Sequence, residues 1–159
     1  MEPAGSLQIR RVVTGHHPDG RATIVIDGMS PGTSGANGSG MTTMWATNTA
    51  PISNEGFADE AATAPRFDNG SVFRVVAHAP GAQARMHRTD TIDYLYIQSG
   101  EIDLLMDDGT TAHLVAGDTV VQRGTAHAWH NRGTEPCVIL FVMIEAVPVA
   151  GVPYLEPLS

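Results

Sequence analysis

The chain has 159 residues, a formal net charge of -8 at pH 7 and no lysine, and its length predicts one domain. The negative charge disfavours binding to nucleic acid or to anionic membrane surfaces, because both are themselves negatively charged. The only cysteine, Cys137, excludes an internal disulfide, and the apolar residues around it favour a buried side chain. No basic segment followed by an apolar run lies near Met1, and no apolar run is long enough to cross a bilayer, so we expect a cytoplasmic protein.

Short runs of β-branched and apolar residues follow one another along most of the chain. Clusters of Gly and Pro separate them, and this spacing predicts an all-β sandwich or barrel instead of alternating strands and helices. The predicted strands are residues 8–14, 22–27, 41–47, 71–78, 91–98, 101–106, 112–115, 119–122, 126–130 and 137–146.

Three segments between or beside these strands have compositions of their own. Residues 29–40 are rich in Gly, Ser and Pro, which predicts a flexible connection. Residues 57–63 have a helical composition but poor periodicity, so we expect a loop with at most one helical turn. The pair Asp108-Gly109 predicts a tight hairpin between two strands.

We expect one domain with three parts. Residues 1–68 supply N-terminal strands and the Gly/Ser-rich loop, residues 69–146 form the barrel core, and residues 147–159 form a C-terminal tail. The tail contains three prolines. Because proline cannot donate a backbone hydrogen bond to a sheet, we expect the tail to lie over the surface or over a partner subunit.

Histidines and one carboxylate occur at spacings that place them on common strand faces. Side chains two residues apart on a strand point the same way. With regular pairing, His87, Thr89 and Asp93 share a face, and His127 shares a face of a second strand with Trp129. Facing the two strands across a barrel interior brings two imidazoles and one carboxylate together. That set suits non-haem Fe(II), and also Mn, Ni or Zn, with positions left open for substrate or water.

The two segments that carry these residues resemble the paired motifs of the cupin superfamily. Residues 81–100 read G-A-Q-A-R-M-H-R-T-D-T-I-D-Y-L-Y-I-Q-S-G, and residues 117–131 read G-D-T-V-V-Q-R-G-T-A-H-A-W-H-N. The spacing of Gly, His, carboxylate and Gly in the first segment, and of Gly-Asp, Gly, His and Asn in the second, agrees with the cupin pattern. The resemblance implies a small single-domain cupin with an all-β jelly-roll β-barrel.

Three positions depart from the cupin pattern. Thr89 stands where a second histidine is usual, Asp93 where Glu usually ligates, and Gln122 where Pro is usual. The resemblance implies a divalent metal ion (Fe, Mn, Zn or Ni) on His87, Asp93 and His127, held more weakly because a neutral hydroxyl is a poorer ligand than imidazole. The same three side chains are candidate catalytic groups without a metal, since a histidine paired with a buried carboxylate serves as a general acid or base.

Four further residues are candidates for the pocket: Thr89, Trp129, Arg85 and Asn131. Trp129 points with its neighbouring histidine and either fills the core or forms a wall for an aromatic substrate. Arg85 and its neighbour Arg88 are placed to receive a substrate carboxylate, although exposed ion pairing is the expected role of each.

The remaining histidines are interpreted as structural or exposed. His78 ends a strand near the barrel mouth, where a structural role is favoured. His113 is expected at the surface, and His130 points away from His127 by strand parity. Whether Arg74 lines the interior stays open at this point.

The leading functional hypothesis is a small-molecule enzyme whose active site lies inside the barrel and depends on a divalent metal. Its chemistry would be a Lewis-acid or acid–base step of isomerase, cyclase, dehydratase or lyase type, on an oxygenated, aromatic or polyketide-like substrate. The alternatives are a metal-dependent dioxygenase, a metal-free His/Asp acid–base enzyme and a non-catalytic ligand-binding protein. We expect a small-molecule partner, no nucleic acid and no membrane, and the resemblance implies a homodimer.

Overall fold

We describe the computed structural model of the chain over residues 7–30, 32–34, 39–54 and 69–152. These residues form eleven strands and no helix, which confirms the predicted all-β class. The strands are β1 (Arg10–His16), β2 (Ala22–Met29), β3 (Gly32–Ser34), β4 (Gly40–Thr47), β5 (Ser71–His78), β6 (Thr91–Ser99), β7 (Glu101–Met106), β8 (Thr111–Val115), β9 (Thr119–Arg123), β10 (His127–His130) and β11 (Cys137–Glu145).

All ten predicted strands are present, with bounds that differ by a few residues at most. The additional strand, β3, lies in the segment that we predicted to be a flexible connection, so that prediction was wrong for these residues. β3 pairs with β4 over only three residues and has no apolar alternation, which is the signal that identifies a strand in a sequence. Residues 57–63 and the tail from residue 153 lie outside the described residues.

The strands form two larger antiparallel sheets and a separate hairpin of β1 and β2. One sheet has the order β3-β4-β5-β11-β6-β9 and the other the order β10-β7-β8. The non-sequential placement of β11 between β5 and β6 is typical of a jelly roll. Residues of both sheets meet in one hydrophobic core, which contains Leu95, Ile97, Ile102, Leu104, Trp129, Cys137, Ile139 and Phe141. Over the described residues, no helix is long and apolar enough to span a membrane.

Two turns follow directly from residues that the sequence analysis singled out. Gly100 connects β6 to β7 with φ +76°, and a Cβ there would lie 2.5 Å from the carbonyl oxygen of Pro136, so only glycine fits. At the predicted hairpin between β7 and β8, the backbone N–H of Thr110 donates to the Asp108 carboxylate at 2.8 Å. The predicted Asp-Gly hairpin is therefore confirmed.

The alternation along β6 determines which of its side chains enter the barrel. Thr91, Asp93, Leu95 and Ile97 are buried, whereas the tyrosines between them are exposed. β6 pairs with β11 on one side and β9 on the other. Asp93 is therefore an interior carboxylate in the middle of a sheet and not a charge on an edge strand.

Candidate active site

His87 and His127 lie side by side at the seam between the two larger sheets. Their backbones form an isolated β-bridge in which each N–H donates to the other's carbonyl at 2.9 Å. Their ring centroids are 4.3 Å apart, with an angle of 54° between the ring planes. The predicted meeting of the two motif histidines is thus what the fold produces.

Both imidazoles are oriented by their own backbone. Nδ1 of His87 lies 2.9 Å from the carbonyl oxygen of Arg85, and Nδ1 of His127 lies 2.9 Å from that of Thr125. A carbonyl oxygen only accepts, so each Nδ1 carries the proton and donates it. Each Nε2 is then the nitrogen with a free lone pair, available to take a proton or to bind a cation.

His127 is 3% exposed. Its pKa is lowered to about 4, mainly by burial and in smaller part by the nearby His87, while the hydrogen bond to the Thr125 carbonyl acts in the opposite direction. At neutral pH His127 is therefore a neutral imidazole whose Nε2 lone pair is unprotonated. The edge of the Trp129 ring faces this imidazole at a centroid distance of 5.9 Å, which gives the histidine an apolar wall.

Asp93 is held by Gln122, its direct neighbour across β6 and β9. The side-chain Nε2 of Gln122 donates to Oδ2 of Asp93 at 2.9 Å. Oδ1 of Asp93 and Oε1 of Gln122 are both buried without a hydrogen-bond partner. Burial raises the pKa of Asp93, and hydrogen bonds from Thr91 and Gln122 together with the charges of His87 and Arg74 offset part of that rise.

The predicted ligands do not assemble into a three-ligand metal centre. Over the part of the chain that the structure describes, no three His, Cys, Asp or Glu side chains lie close enough together to hold a metal ion. The two imidazoles offer free Nε2 atoms, whereas one oxygen of the Asp93 carboxylate, Oδ2, accepts a hydrogen bond from Gln122. At the position of the missing histidine, the Thr89 hydroxyl is hydrogen-bonded to the Thr91 hydroxyl at 2.8 Å. The residues present therefore fit a pair of nitrogen ligands and not the full set.

Among the other candidates for the pocket, Trp129 lies beside His127, whereas the side chain of Asn131 is bound to the backbone. Trp129 is 3% exposed and also contacts Phe141 edge to face at 6.2 Å, so it fills the core and forms a wall at once. The amide of Asn131 donates to the carbonyls of His78 and Glu135, and its Oδ1 accepts from the N–H of Gly133. Asn131 therefore holds the chain before β11 and has no side-chain group left for a ligand, which corrects its assignment to the pocket.

The two arginines beside His87 differ in environment. Arg85 is exposed and contributes its carbonyl to the histidine. Arg88 is 3% exposed, lies 3.3 Å from Asp90 and donates to the carbonyl of Val152. The expected ion pair of Arg88 is present, but its expected exposure was wrong.

The outlying histidines have structural surroundings. His113 is exposed and lies 2.8 Å from the Asp103 carboxylate. His78 lies 6.4 Å from the Trp129 ring centroid. Its Nε2 is buried without a partner, and burial lowers its pKa to about 4.

Two residues of the site carried signals that the sequence analysis did not use. Gln122 replaces the proline of the motif, and a side-chain amide donates hydrogen bonds that proline cannot. Arg74 is the only charged residue of the apolar run 71–78. A charge in the middle of an otherwise apolar strand either faces solvent or has a polar partner inside.

The chain is 31% identical over 152 residues to a cupin-domain-containing oxidoreductase of Aspergillus ruber, which covers 89% of this chain and 75% of that relative. The chain belongs to the cupin family. The family model for the cupin domain matches residues 74–143, which include both histidines and Asp93.

Other relatives and a solved structure agree with this family. Two phomopsin biosynthesis cluster proteins of Diaporthe leptostromiformis, C' and D, are each 48% identical to this cupin over 81 residues, which is 50% of the chain. The chain spans 43% of the length of each of these two relatives. An RmlC-like cupin from Shewanella frigidimarina superposes with a TM-score of 0.52 over 74% of this chain and 85% of its own, at 14% identity, and shows the fold alone.

Proposed function

We propose that this cupin is a small-molecule enzyme in which His87 and His127 carry out acid–base chemistry inside the barrel. The observation that carries the proposal is the pair itself. Both Nδ1 atoms are occupied by local carbonyls, so both Nε2 atoms are free within one contact pair. Few core histidines combine mutual contact, a fixed tautomer and a free lone pair.

Such a pair moves protons in both directions during one reaction. One Nε2 accepts a proton from a C–H or O–H group of the substrate, and the imidazolium so formed then returns a proton to a different atom of the substrate. The net charge of the pair is then the same before and after the reaction. Enol formation, double-bond migration, and cyclisation with loss of water all follow this pattern.

The walls of the site favour an oxygenated, aromatic or polyketide-like substrate. Trp129 and Phe141 supply aromatic surface beside the histidines, and such surfaces stack on or pack against planar apolar groups. The biosynthesis cluster proteins among the relatives support a small-molecule substrate of secondary metabolism. Asp93 does not orient either imidazole, since backbone carbonyls do so, but the charge of His87 is close enough to lower the pKa of Asp93.

The test uses proton exchange, because it requires no knowledge of the final product. Acetylacetone and aromatic β-diketones are incubated in D2O with the protein purified without chelator, and loss of the α-proton signal is followed by NMR. We expect exchange above the buffer rate and a loss of about 10²–10⁴-fold in His127→Ala and His87→Ala. His113→Ala is the matched control and keeps the rate. Full exchange activity in both pair variants would contradict the proposal.

The second candidate is an oxidoreductase, favoured by the name of the Aspergillus ruber relative. This candidate includes the metal-dependent dioxygenase, and a divalent ion on the two imidazoles stays a prediction. Elemental analysis before and after EDTA separates the candidates. Bound metal near one equivalent, with oxygen uptake that EDTA abolishes, supports the oxidoreductase. Proton exchange that survives complete metal removal supports the histidine pair alone, and a ligand recovered unchanged after long incubation supports a binding protein.

We also propose that the protein is a homodimer. The outer face of the six-stranded sheet carries a row of apolar side chains across four neighbouring strands, in which Phe73, Tyr94 and Val121 are exposed and Val142 is half-buried. Exposed apolar rows of this kind are typical of interfaces between subunits. Light scattering of the wild type should give twice the chain mass, and Val121→Glu should give the chain mass. A monomeric wild type at micromolar concentration would contradict the proposal.

A further inference from the structure

The position of Arg74 on its strand places its side chain inside the barrel. It lies on β5 directly opposite Phe141 on β11, and Phe141 in turn lies opposite Leu95 on β6. Phe141 and Leu95 are both buried members of the core. Side chains of cross-strand partners emerge on the same face of a sheet, so Arg74 emerges on the core face.

The guanidinium of Arg74 is not neutralised by a direct contact. Its Nε is buried without a hydrogen-bond partner, and no carboxylate of the described residues forms an ion pair with it. Asp93 is the carboxylate whose charge influences it. Burial of a guanidinium without a bound anion is unfavourable, so this arrangement calls for a functional explanation.

Asp93 and Arg74 lie on the same interior face of the sheet, on strands that are separated by β11. Met143 of β11 pairs with Asp93 on one side and with Val72, two residues before Arg74, on the other. The charges of Arg74 and Asp93 influence each other, yet the two side chains make no direct contact. The donor Nε of Arg74 and the acceptor Oδ1 of Asp93 are both buried and unpartnered.

The donor Nε of Arg74 and the acceptor Oδ1 of Asp93 lie on either side of one apolar strand, and neither has a partner. A ligand that offers a hydrogen-bond acceptor to the first and a donor to the second would match them. Buried polar atoms in native proteins nearly always have a partner, so Nε of Arg74 and Oδ1 of Asp93, like Oε1 of Gln122 and Nε2 of His78, call for one. A carboxylate or enolate oxygen satisfies the guanidinium, which forms its strongest hydrogen bonds with anionic oxygens. A hydroxyl hydrogen satisfies Oδ1 of Asp93.

We infer that Arg74 and Asp93 form a two-point recognition site for a substrate that carries a carboxylate or enolate oxygen next to a hydroxyl group. Arg74 donates to the anionic oxygen, and Asp93 accepts from the hydroxyl. Gln122 is a positioning residue, because its amide holds Oδ2 and leaves Oδ1 for the ligand. The inference rests on the proposed function, since it names the class of substrate that the histidine pair would act on.

The test measures binding and therefore does not depend on turnover. Glycolate and salicylate each carry a carboxylate next to a hydroxyl, benzoate carries the carboxylate alone, and salicyl alcohol is neutral. In 15N-labelled protein the Nε–H signal of Arg74 is assigned by its absence in Arg74→Met. We expect glycolate or salicylate to shift this signal, and Arg74→Met to weaken their binding at least tenfold, with salicyl alcohol unaffected.

Three variants complete the design. Arg123→Met removes an equal charge from the exposed position next to Gln122, and we expect it to bind salicylate as the wild type does. Asp93→Asn should weaken salicylate relative to benzoate, because only salicylate uses Oδ1. Arg74→Lys keeps the charge without the Nε–H, and a partial loss of affinity is expected even if the Met variant proves unstable.

Several outcomes would overturn the inference. The inference fails if no carboxylate shifts the Nε–H signal of Arg74 in the wild type. If Arg74→Met and Arg123→Met weaken salicylate binding equally, the effect comes from overall charge. If Arg74→Met weakens the binding of salicyl alcohol as much as that of salicylate, the effect comes from a disturbed structure. The proposed function fails separately: His127→Ala should abolish proton exchange and keep carboxylate binding. Carboxylate binding without proton exchange in the wild type or in any variant would contradict the proposed enzyme activity and would support the Arg74–Asp93 recognition site.

Discussion

Two histidine environments in this barrel show how position decides what an imidazole does. His113, on the outer surface of the three-stranded sheet, is 57% exposed and lies 2.8 Å from the Asp103 carboxylate, and this hydrogen bond raises its pKa. His127, at the seam between the sheets, is buried against aromatic rings, and burial lowers its pKa to about 4. The first is prepared to be a cation and the second to be a neutral base or ligand. His113, the histidine beside a carboxylate, is thus the weaker candidate for a neutral base or ligand.

Acidification should distinguish the two environments most strongly. The pKa of His127 is about 4 in the folded protein and 6.5 ordinarily. Its contribution to stability is therefore complete above pH 6.5 and is lost as the pH falls towards 4, by about 1.4 kcal/mol per pH unit and about 3 kcal/mol in all. Asp93 acts in the opposite direction, since its pKa is raised and its burial cost disappears as it gains a proton.

The measurement is urea denaturation of the wild type, His127→Gln and His113→Gln between pH 7 and pH 4. His127→Gln should lose stability less steeply with falling pH, by about one proton, whereas His113→Gln should not show this reduction. Parallel curves for the wild type and His127→Gln would show that the buried imidazole does not titrate as its burial implies.

Removal of the amide that holds Asp93 should have the next largest effect. Gln122→Met keeps the volume but leaves Oδ2 of Asp93 without its donor, and hydrogen bonds to charged groups contribute about 1.5–3 kcal/mol. We expect a loss of unfolding free energy of about 2 kcal/mol at pH 7, smaller at low pH where Asp93 is protonated. Gln122→Glu is a useful companion, since a second carboxylate there should raise the Asp93 pKa further. An unchanged denaturation midpoint in Gln122→Met would contradict the contact.

The smallest effect is expected at the exposed histidine. Asp103→Asn removes the negative charge of the hydrogen-bond acceptor that raises the pKa of His113, so the pKa should fall towards its ordinary value without a measurable change in stability. The titration of the imidazole carbon-bound protons by NMR checks this, with His127 as an internal reference that should not move. A joint shift of both histidines would show that the two environments are not independent.

Strand parity predicted a large part of this arrangement from the sequence. The period of two along strand β6 separates its two faces, and the face that carries Asp93 is the buried one. The motif spacing correctly brought His87 to His127. Both predictions depend only on local geometry and on which segments pair.

Contacts that depend on register could not be predicted in the same way. That Gln122 lies opposite Asp93 requires the exact alignment of β6 and β9, and that Arg74 approaches from β5 requires β11 to lie between them. Asn131 shows the converse error. Its motif position suggested a pocket residue, but backbone carbonyls use both of its amide hydrogens.

The bridge between His87 and His127 has one more consequence. The connection from β5 to β6 is joined to β10 by two isolated backbone bridges, at Gln83–His130 and His87–His127, and by a hydrogen bond from the N–H of Ala84 to the carbonyl of Trp129. Short connections of this kind open more readily than the strands beside them. The N–H groups of His87 and His127 should therefore exchange with solvent faster than those of β6, and slow down when a ligand spans the two rings. Amide exchange at two residues then reports whether the site is assembled, before any product is known.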